Sequence, residues 1–243
     1  MGHGDMVMCL GQLLVDTNYP LYAETVLTLS NAMDVILDNG ANEGKTMDFN
    51  ELSRAAGLLK KPELVLPDVL GESNATYATS TDYLRRFGKP GLNYMAVVQG
   101  TSIDELKNLV DRYAEIFAID SLSLPRLLLG RTGTPSIRID LANWIFNTYP
   151  KRFKLHLLGA SSRWVKEVYY AATYAPHIRS IDTSMPYNFG LLGIRMDNST
   201  YDGSGTERVD RPLDYFTRLH NPHALSTYKY NEEVYKEWCL GKR

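Results

Sequence analysis

"DVILDNGANEGK", residues 34–45, contains an apolar run, Val35-Ile36-Leu37, that ends on a carboxylate, Asp38. Asn39 and Gly40 follow, a pair suited to a turn. The run reads as a buried strand that delivers an acid at its last position and then breaks. Other apolar runs end in the same way. Asp68 follows "LVLP", Gln99 follows "MAVV", Asp120 follows "FAI", Gly159 follows "HLL" and Asp182 follows "SI". Any one of these acids, taken alone, reads best as a helix N-cap or turn residue. Their recurrence at successive strand ends weighs against that reading for the set.

The runs "MVMCLGQLL", "DVILD", "ELVLPD", "NYMAVVQG", "AIDSLSLP", "FKLHLLG" and "IRSIDTSMP" alternate with helical patterns. The clearest of these is "SIDELKNLVDRYAEIF", where Leu106, Leu109, Val110, Tyr113, Ile116 and Phe117 recur at helical spacing and Ser102 with Glu105 forms a capping box. Alternation of this kind, with continuous apolar strands, predicts a parallel sheet covered on both faces. Seven units are visible, and the expected eighth strand falls in the Tyr-rich C-terminal third, at "ALSTYKY". With no glycine-rich nucleotide turn, the pattern favours an α/β protein of the (β/α)₈ barrel (TIM) class over an open doubly wound sheet. The expectation is one domain over residues 1–243. Its long polar stretch, Arg195 to Pro212, is a surface loop or a lid on the active face.

Composition narrows the function classes. A chain of 243 residues with 44% hydrophobic residues is long enough for one sizeable core. A net charge of -2 and a pI near 6.2 do not mark a nucleic-acid binder, although a local basic patch is compatible with them. Cys9 and Cys239 stand far apart without C-x-x-C partners, which argues against a disulfide framework or structural zinc and for a reducing compartment. No basic, apolar leader and no long apolar span is evident, so a cytoplasmic protein is expected. The patterns "NAT" at Asn74 and "NST" at Asn198 then read as chance matches to the glycosylation motif.

Two carboxylates across one pocket suit glycosidic chemistry, one attacking the anomeric carbon and the other moving a proton to and from the leaving group. An Asp, a Gln amide and backbone N–H groups complement the donors and acceptors on a purine edge. The order "ILDNG", "LPD", "AVVQG", "HLLG", "SIDTSMP", from Asp34 to Pro186, resembles the tRNA-guanine transglycosylase superfamily, whose fold is a (β/α)₈ barrel. The resemblance implies that Asp182 is the nucleophile and Asp38 the general acid/base. It implies that Asp68, Gln99 and Gly100 read the purine edge, that Leu158 and Gly159 pack against the base, and that Asn39 and Asn42 border it.

The departures from that family are specific. Ala41 and Asn42 stand where it has a second glycine and an aromatic that sandwiches the base. Its G-G-L turn reads "DSLSLP" here, so Asp120 and Ser121 are expected to alter base recognition. Its Thr-Arg pair after the nucleophile is replaced by Tyr187 and Asn188. Its Cys-x-Cys-x-x-Cys…His zinc site is absent, leaving Cys239 alone, and His220 and His223 read as surface or packing histidines.

A zinc-free chain that keeps the catalytic pair is similar to the phage and bacterial branch that exchanges guanine in DNA for a 7-deazaguanine. That resemblance implies no cofactor and no metal. It implies DNA, duplex or single-stranded, and a free 7-deazaguanine base such as the 7-cyano form as partners, in the host cytoplasm if the chain is phage-encoded. Arg126, Arg131, Arg163, Arg195, Arg208 and Arg211 are candidates for phosphate contact, each singly also a plain surface charge. Tyr169, Tyr170 and Tyr174 suit a homodimer interface or helix packing. The competing readings are a tRNA enzyme of the same chemistry, a non-catalytic nucleic-acid-binding subunit of that family, and an unrelated barrel glycosidase.

Overall fold

The computed structural model describes residues 6–41, 47–128, 136–159, 167–191, 193–197 and 222–240. The chain divides into two compact units, one of residues 2–156 and one of residues 157–243 with Met1. The boundary falls inside a strand.

The first unit alternates strands and helices. It runs β1 (Met6–Leu10), α1 (Gly11–Val15), α2 (Pro20–Leu29), β2 (Asp34–Asp38), α3 (Phe49–Leu58), β3 (Glu63–Val65), α4 (Ser73–Phe87), β4 (Asn93–Val97), α5 (Ile103–Ala114), β5 (Ile119–Pro125) and α6 (Ile137–Thr148), and then enters β6 (Lys154–Leu158). The strands follow one another in the sheet in chain order, and β1 to β5 pair in parallel. Val35, Ile36, Leu37, Leu64, Val65, Met95, Ala96 and Val97 are all buried, as a parallel sheet covered on both faces requires. Strand β1 is shorter than its apolar run, because Gly11 to Val15 turn into a helix after Leu10.

Helices form where the local chemistry closes their ends. The Asp48 side chain accepts the Glu51 N–H at 2.8 Å and caps α3. Ser102 caps α5 by accepting from the Glu105 N–H. The Glu105 carboxylate reaches back to the Thr101 N–H at 2.8 Å and to the Thr101 hydroxyl at 2.9 Å, which holds its carboxyl below the usual range. Leu106, Leu109, Val110 and Tyr113 form the buried stripe of α5, each contributing about 1.5–3 kcal/mol by burial.

Register decides which side chains share a face. Ile36 pairs with Glu63, Val65 with Met95, Met95 with Ser121 and Val97 with Ser123. These residues therefore project to one side of the sheet, as does Asp38 at the end of β2. The Ser121 hydroxyl donates to the Glu63 carboxylate across the intervening β4. This follows from a register shift: Tyr94 pairs with Ile119 but Met95 with Ser121, so Asp120 is the extra residue of a bulge. Asp120 thus lies near the start of β5, not at its end, and Ser121 is buried mid-strand. The expectation that Asp120 ends a strand is corrected by that placement.

The second unit begins at Leu157, within β6, and continues with α7 (Glu167–Tyr174), β7 (Ile178–Ile181), α8 (Met185–Leu191) and α9 (Pro222–Cys239). Its core joins Val168, Met185, Phe189, Met196, Val234, Tyr235 and Trp238. The expected eighth strand is not a strand. Residues 224–230 belong to α9, whose buried residues Ala224, Thr227, Asn231, Val234, Tyr235 and Trp238 recur every three or four positions. The fold is therefore mixed α/β with seven parallel strands and helices between them, and the described residues do not form a closed eight-stranded barrel.

Helices α8 and α9 approach closely at Gly190. A Cβ there would lie 2.7 Å from Tyr228 Cα, which is backbone and cannot swing aside. Gly190→Ala should therefore cost about 1–3 kcal/mol, read as a lower urea midpoint with an unchanged slope. A neutral result would mean that the two helices are further apart than described. Asn231 closes the same region, accepting the Met196 N–H and donating to Ile194 O, each at 2.9 Å.

Candidate active site

In the first unit the candidate residues gather where β2, β3 and β4 end. Asp38 is the last residue of β2. The next residue, Asn39, is 1% exposed, and its amide is fully engaged. It donates to Leu66 O at 2.7 Å and to Asp68 Oδ1 at 2.8 Å, and its Oδ1 accepts the Ala41 N–H at 2.8 Å. Gln99, two residues past β4, donates from Nε2 to Asp68 Oδ2 at 2.7 Å and accepts the Gly71 N–H at 3.0 Å. Asp68 is 8% exposed. A buried carboxylate is thus held by two amides, one on each oxygen, which fixes its plane.

The strand ends need particular backbone shapes to do this. Gly40 has φ +77° and its N–H donates to Asp38 Oδ1 at 3.3 Å; a Cβ there would strike the Gln12 amide at 2.1 Å. Gly100 is buried where α5 comes in close, so a Cβ would crowd Leu106 and Glu105 at 3.1 and 3.3 Å. The segment that carries Asp68 is pinned from α4: the Ser80 hydroxyl donates to Pro67 O at 2.9 Å, and Thr76 Oγ1 bonds both Val69 N–H and Val69 O at 2.9 Å. The Tyr113 hydroxyl lies 3.3 Å from Ser80 Oγ; burial and then, among other causes, the charge of Asp68 push its phenol above the usual range. Ser80 and Thr76 were not singled out from the sequence. Their only signal was small hydroxyl residues on the buried side of α4.

Asp38 has further neighbours. Leu10, its partner on β1, donates its N–H to the Tyr22 hydroxyl at 2.8 Å. Tyr22 is pushed above the usual phenol range, first by burial and then by Cys9, and also by Asp38. Cys9 is pushed up to about 12, first by burial and then by the negative charge of Asp38. Cys239, in the second unit, is pushed up by burial to about 11. Both thiols are therefore expected to resist alkylation at about pH 8 in the native protein and to label fully once it is unfolded. The linked effect on stability has a definite sign. Unfolded thiols ionise near about 8.5 but the folded ones do not, so the folded state holds more protons above that pH. Stability should fall as pH rises from about 8.5 toward 12. Rapid native labelling of Cys9, read by mass spectrometry, would contradict its packing against β2.

The second unit holds the other carboxylate. Asp182 is one residue past β7 and half-buried. Its N–H donates to Leu157 O at 3.3 Å, and its Oδ1 accepts the Gly159 N–H at 2.6 Å. Gly159, with φ +71°, follows Leu158, the last residue of β6; the left-handed turn carries the N–H toward the carboxylate. Thr183 Oγ1 then accepts the Met185 N–H at 3.0 Å as α8 begins.

The basic candidates are placed unevenly. Arg126 is half-buried directly after β5. Arg195 is engaged inside its own unit, its guanidinium 3.7 Å from the Tyr230 ring centroid and its Nε 3.6 Å from Asp197. Arg138 was not anticipated: it is fully buried on the first turn of α6 and donates to Leu124 O at 2.9 Å, near the end of β5. Asn42, Arg131, Arg163, Arg208 and Arg211 lie outside the described residues, as does His220 and most of the 195–212 stretch. Among the described residues, no helix is long and apolar enough to cross a membrane.

No known protein family matches the chain by sequence, and no curated protein does. The chemistry has to be read from the residues themselves. The first unit presents a fixed, buried acceptor, Asp68, and a second acid, Asp38, at the end of the neighbouring strand β2. The second presents an acid, Asp182, oriented by a backbone N–H.

Proposed function

We propose that this protein exchanges guanine in DNA for a 7-deazaguanine base, such as 7-cyano-7-deazaguanine, through a covalent glycosyl-aspartate. The observation that carries the reading is the Asn39–Asp68–Gln99 arrangement, in which two amides hold one buried carboxylate at the ends of β2, β3 and β4. A fixed carboxylate complements the two adjacent N–H donors on a guanine edge, which 7-deazaguanines share. The seven parallel strands with helices between them support the further reading of a TIM-type barrel architecture, in which strand C-termini carry the chemistry.

The reaction needs no cofactor. The target nucleotide leaves the stack, at a cost of a few kcal/mol by general estimate, about what a tight base pocket offsets. Asp182 attacks C1′; the C1′–N9 bond breaks, its electron pair goes to N9, and N9 takes a proton from Asp38. Guanine leaves. The incoming base gives its N9 proton to the Asp38 carboxylate, N9 attacks C1′, and the ester bond to Asp182 breaks. Charge and protons return to their starting places, and the two half-reactions imply ping-pong kinetics. DNA and a free base are the substrates, which fits a protein that works in the cytoplasm of a cell or of a phage host.

Nucleoside mass spectrometry tests the reading. The protein is incubated with 7-cyano-7-deazaguanine and duplex DNA, single-stranded DNA or tRNA. A modified deoxynucleoside supports the proposal. A modified ribonucleoside moves it to tRNA, and no product with any nucleic acid overturns it.

A further inference from the structure

The end of the sheet that the proposed chemistry does not use has its own character. In residues 2–156 the loops that enter β2 to β6 share one rim, opposite Asp38, Asp68 and Gln99. Counted with the first residue of each strand, they carry Lys60, Lys61, Lys89, Lys151, Arg152 and Lys154. Against these stand Asp34 and Glu115, with Glu63 buried and bonded to Ser121. Among the described residues of the loops that leave β2 to β5, Asp48 and Glu72 are exposed and Arg126 is half-buried.

Arg152 is a buttress, donating to Ile116 O at 2.8 Å and Ile119 O at 2.7 Å. It ties the 149–153 loop to the loop that bears Phe117. The five lysines are exposed, and none forms an ion pair with a described carboxylate. Phe117 is 94% exposed. Sheet order sets the order along the rim: Lys60 and Lys61, then Lys89, then Phe117, then Lys151 and Lys154. That row spans three strand spacings, roughly 15 Å.

We infer that this rim binds single-stranded DNA, with phosphates along the lysines and a base stacked on Phe117. A ring 94% exposed among lysines offers a face to an unstacked base, whereas a duplex hides its base faces. A bilayer surface would reward a broad apolar face rather than one ring. The choice of DNA over RNA rests on the proposed function; the binding surface rests on the rim alone.

The test is fluorescence anisotropy with labelled oligothymidylate across a salt series. The variants are Lys60→Gln/Lys61→Gln/Lys89→Gln/Lys154→Gln and, separately, Phe117→Ala. All five side chains are exposed, so both variants should keep the wild-type thermal midpoint. The quadruple variant should flatten the salt dependence of log K by about 3, at roughly 0.7 per phosphate contact. Phe117→Ala should bind about tenfold more weakly. Unchanged affinity and slope in the quadruple variant overturn the proposal, as does binding to phosphatidylserine vesicles with none to oligothymidylate. Tighter binding of oligouridylate overturns the choice of DNA. Loss of oligothymidylate binding in the quadruple variant, alongside no base exchange by the wild type, would keep the rim and remove only the proposed reaction.

Discussion

Asp182→Asn is expected to lower base exchange by at least about 10³-fold while leaving the fold intact. The asparagine Oδ1 can still accept the Gly159 N–H that now meets Asp182 Oδ1 at 2.6 Å, so the turn after β6 keeps its partner. What is lost is the anionic oxygen that, in the proposed reaction, forms the bond to C1′. Asp182→Ala removes both, and should combine the same loss of activity with a modest loss of stability from the lost hydrogen bond to the Gly159 N–H, about 1 kcal/mol. The two variants thus separate nucleophile from scaffold. The measurements are nucleoside mass spectrometry for turnover and denaturing electrophoresis for a protein–DNA adduct, which should form in the wild type and in neither variant. Wild-type turnover by Asp182→Asn would exclude this residue as the nucleophile.

The second large effect is expected at Asp68. Asp68→Ala removes the acceptor of one Asn39 Nδ2 hydrogen bond and of one Gln99 Nε2 hydrogen bond, made at 2.8 and 2.7 Å inside the protein, while Asn39 Nδ2 keeps Leu66 O. Losing these two buried hydrogen bonds should cost about 2–5 kcal/mol, visible as a lower urea midpoint. Asp68→Asn is not a silent control. It offers one oxygen and one NH₂ group, so one of the two neighbouring amides must meet a donor. Turning the Gln99 amide over only moves the conflict, because its Oε1 accepts the Gly71 N–H at 3.0 Å. Asp68→Asn should therefore also destabilise, by about 1–3 kcal/mol. Both variants should raise the KM for the free base more than they lower kcat. If Asp68→Ala unfolded at the wild-type urea concentration, the amide–carboxylate arrangement would be wrong.

Much of this was legible because burial leaves a simple mark. Strands covered on both faces read as unbroken apolar runs, and "DVILD" and "NYMAV" became β2 and β4 with little change. The cap at Ser102 and the stripe of α5 were equally direct, since period and cap agree. Asp38, Asp68, Gln99, Gly159 and Asp182 do sit at or just past strand ends. Two features escaped. "ALSTYKY" is too short to tell a period of two from one of 3.6, and only Asn231, Val234, Tyr235 and Trp238 beyond it reveal the helix. The bulge at Asp120 left no trace in composition, because an extra residue in a register is a relation between two strands, Tyr94–Met95 and Ile119–Ser121. Nor could residue types reveal that Asn39 spends its amide on Asp68 and Leu66. That is a matter of which strand ends are neighbours.

The chain of contacts from Asn39 through Asp68 to Gln99 and Gly71 has a bearing on inheritance and on engineering. It makes three successive loops a single transferable part. Swapping the loop after β2 alone, or the one after β3 alone, into a related scaffold would leave a donor or an acceptor facing nothing. Positions 39, 68 and 99 should accordingly change together across descendants of this sequence, and rarely one at a time. A designer who wants to move this arrangement would do best to move all three loops as a cassette.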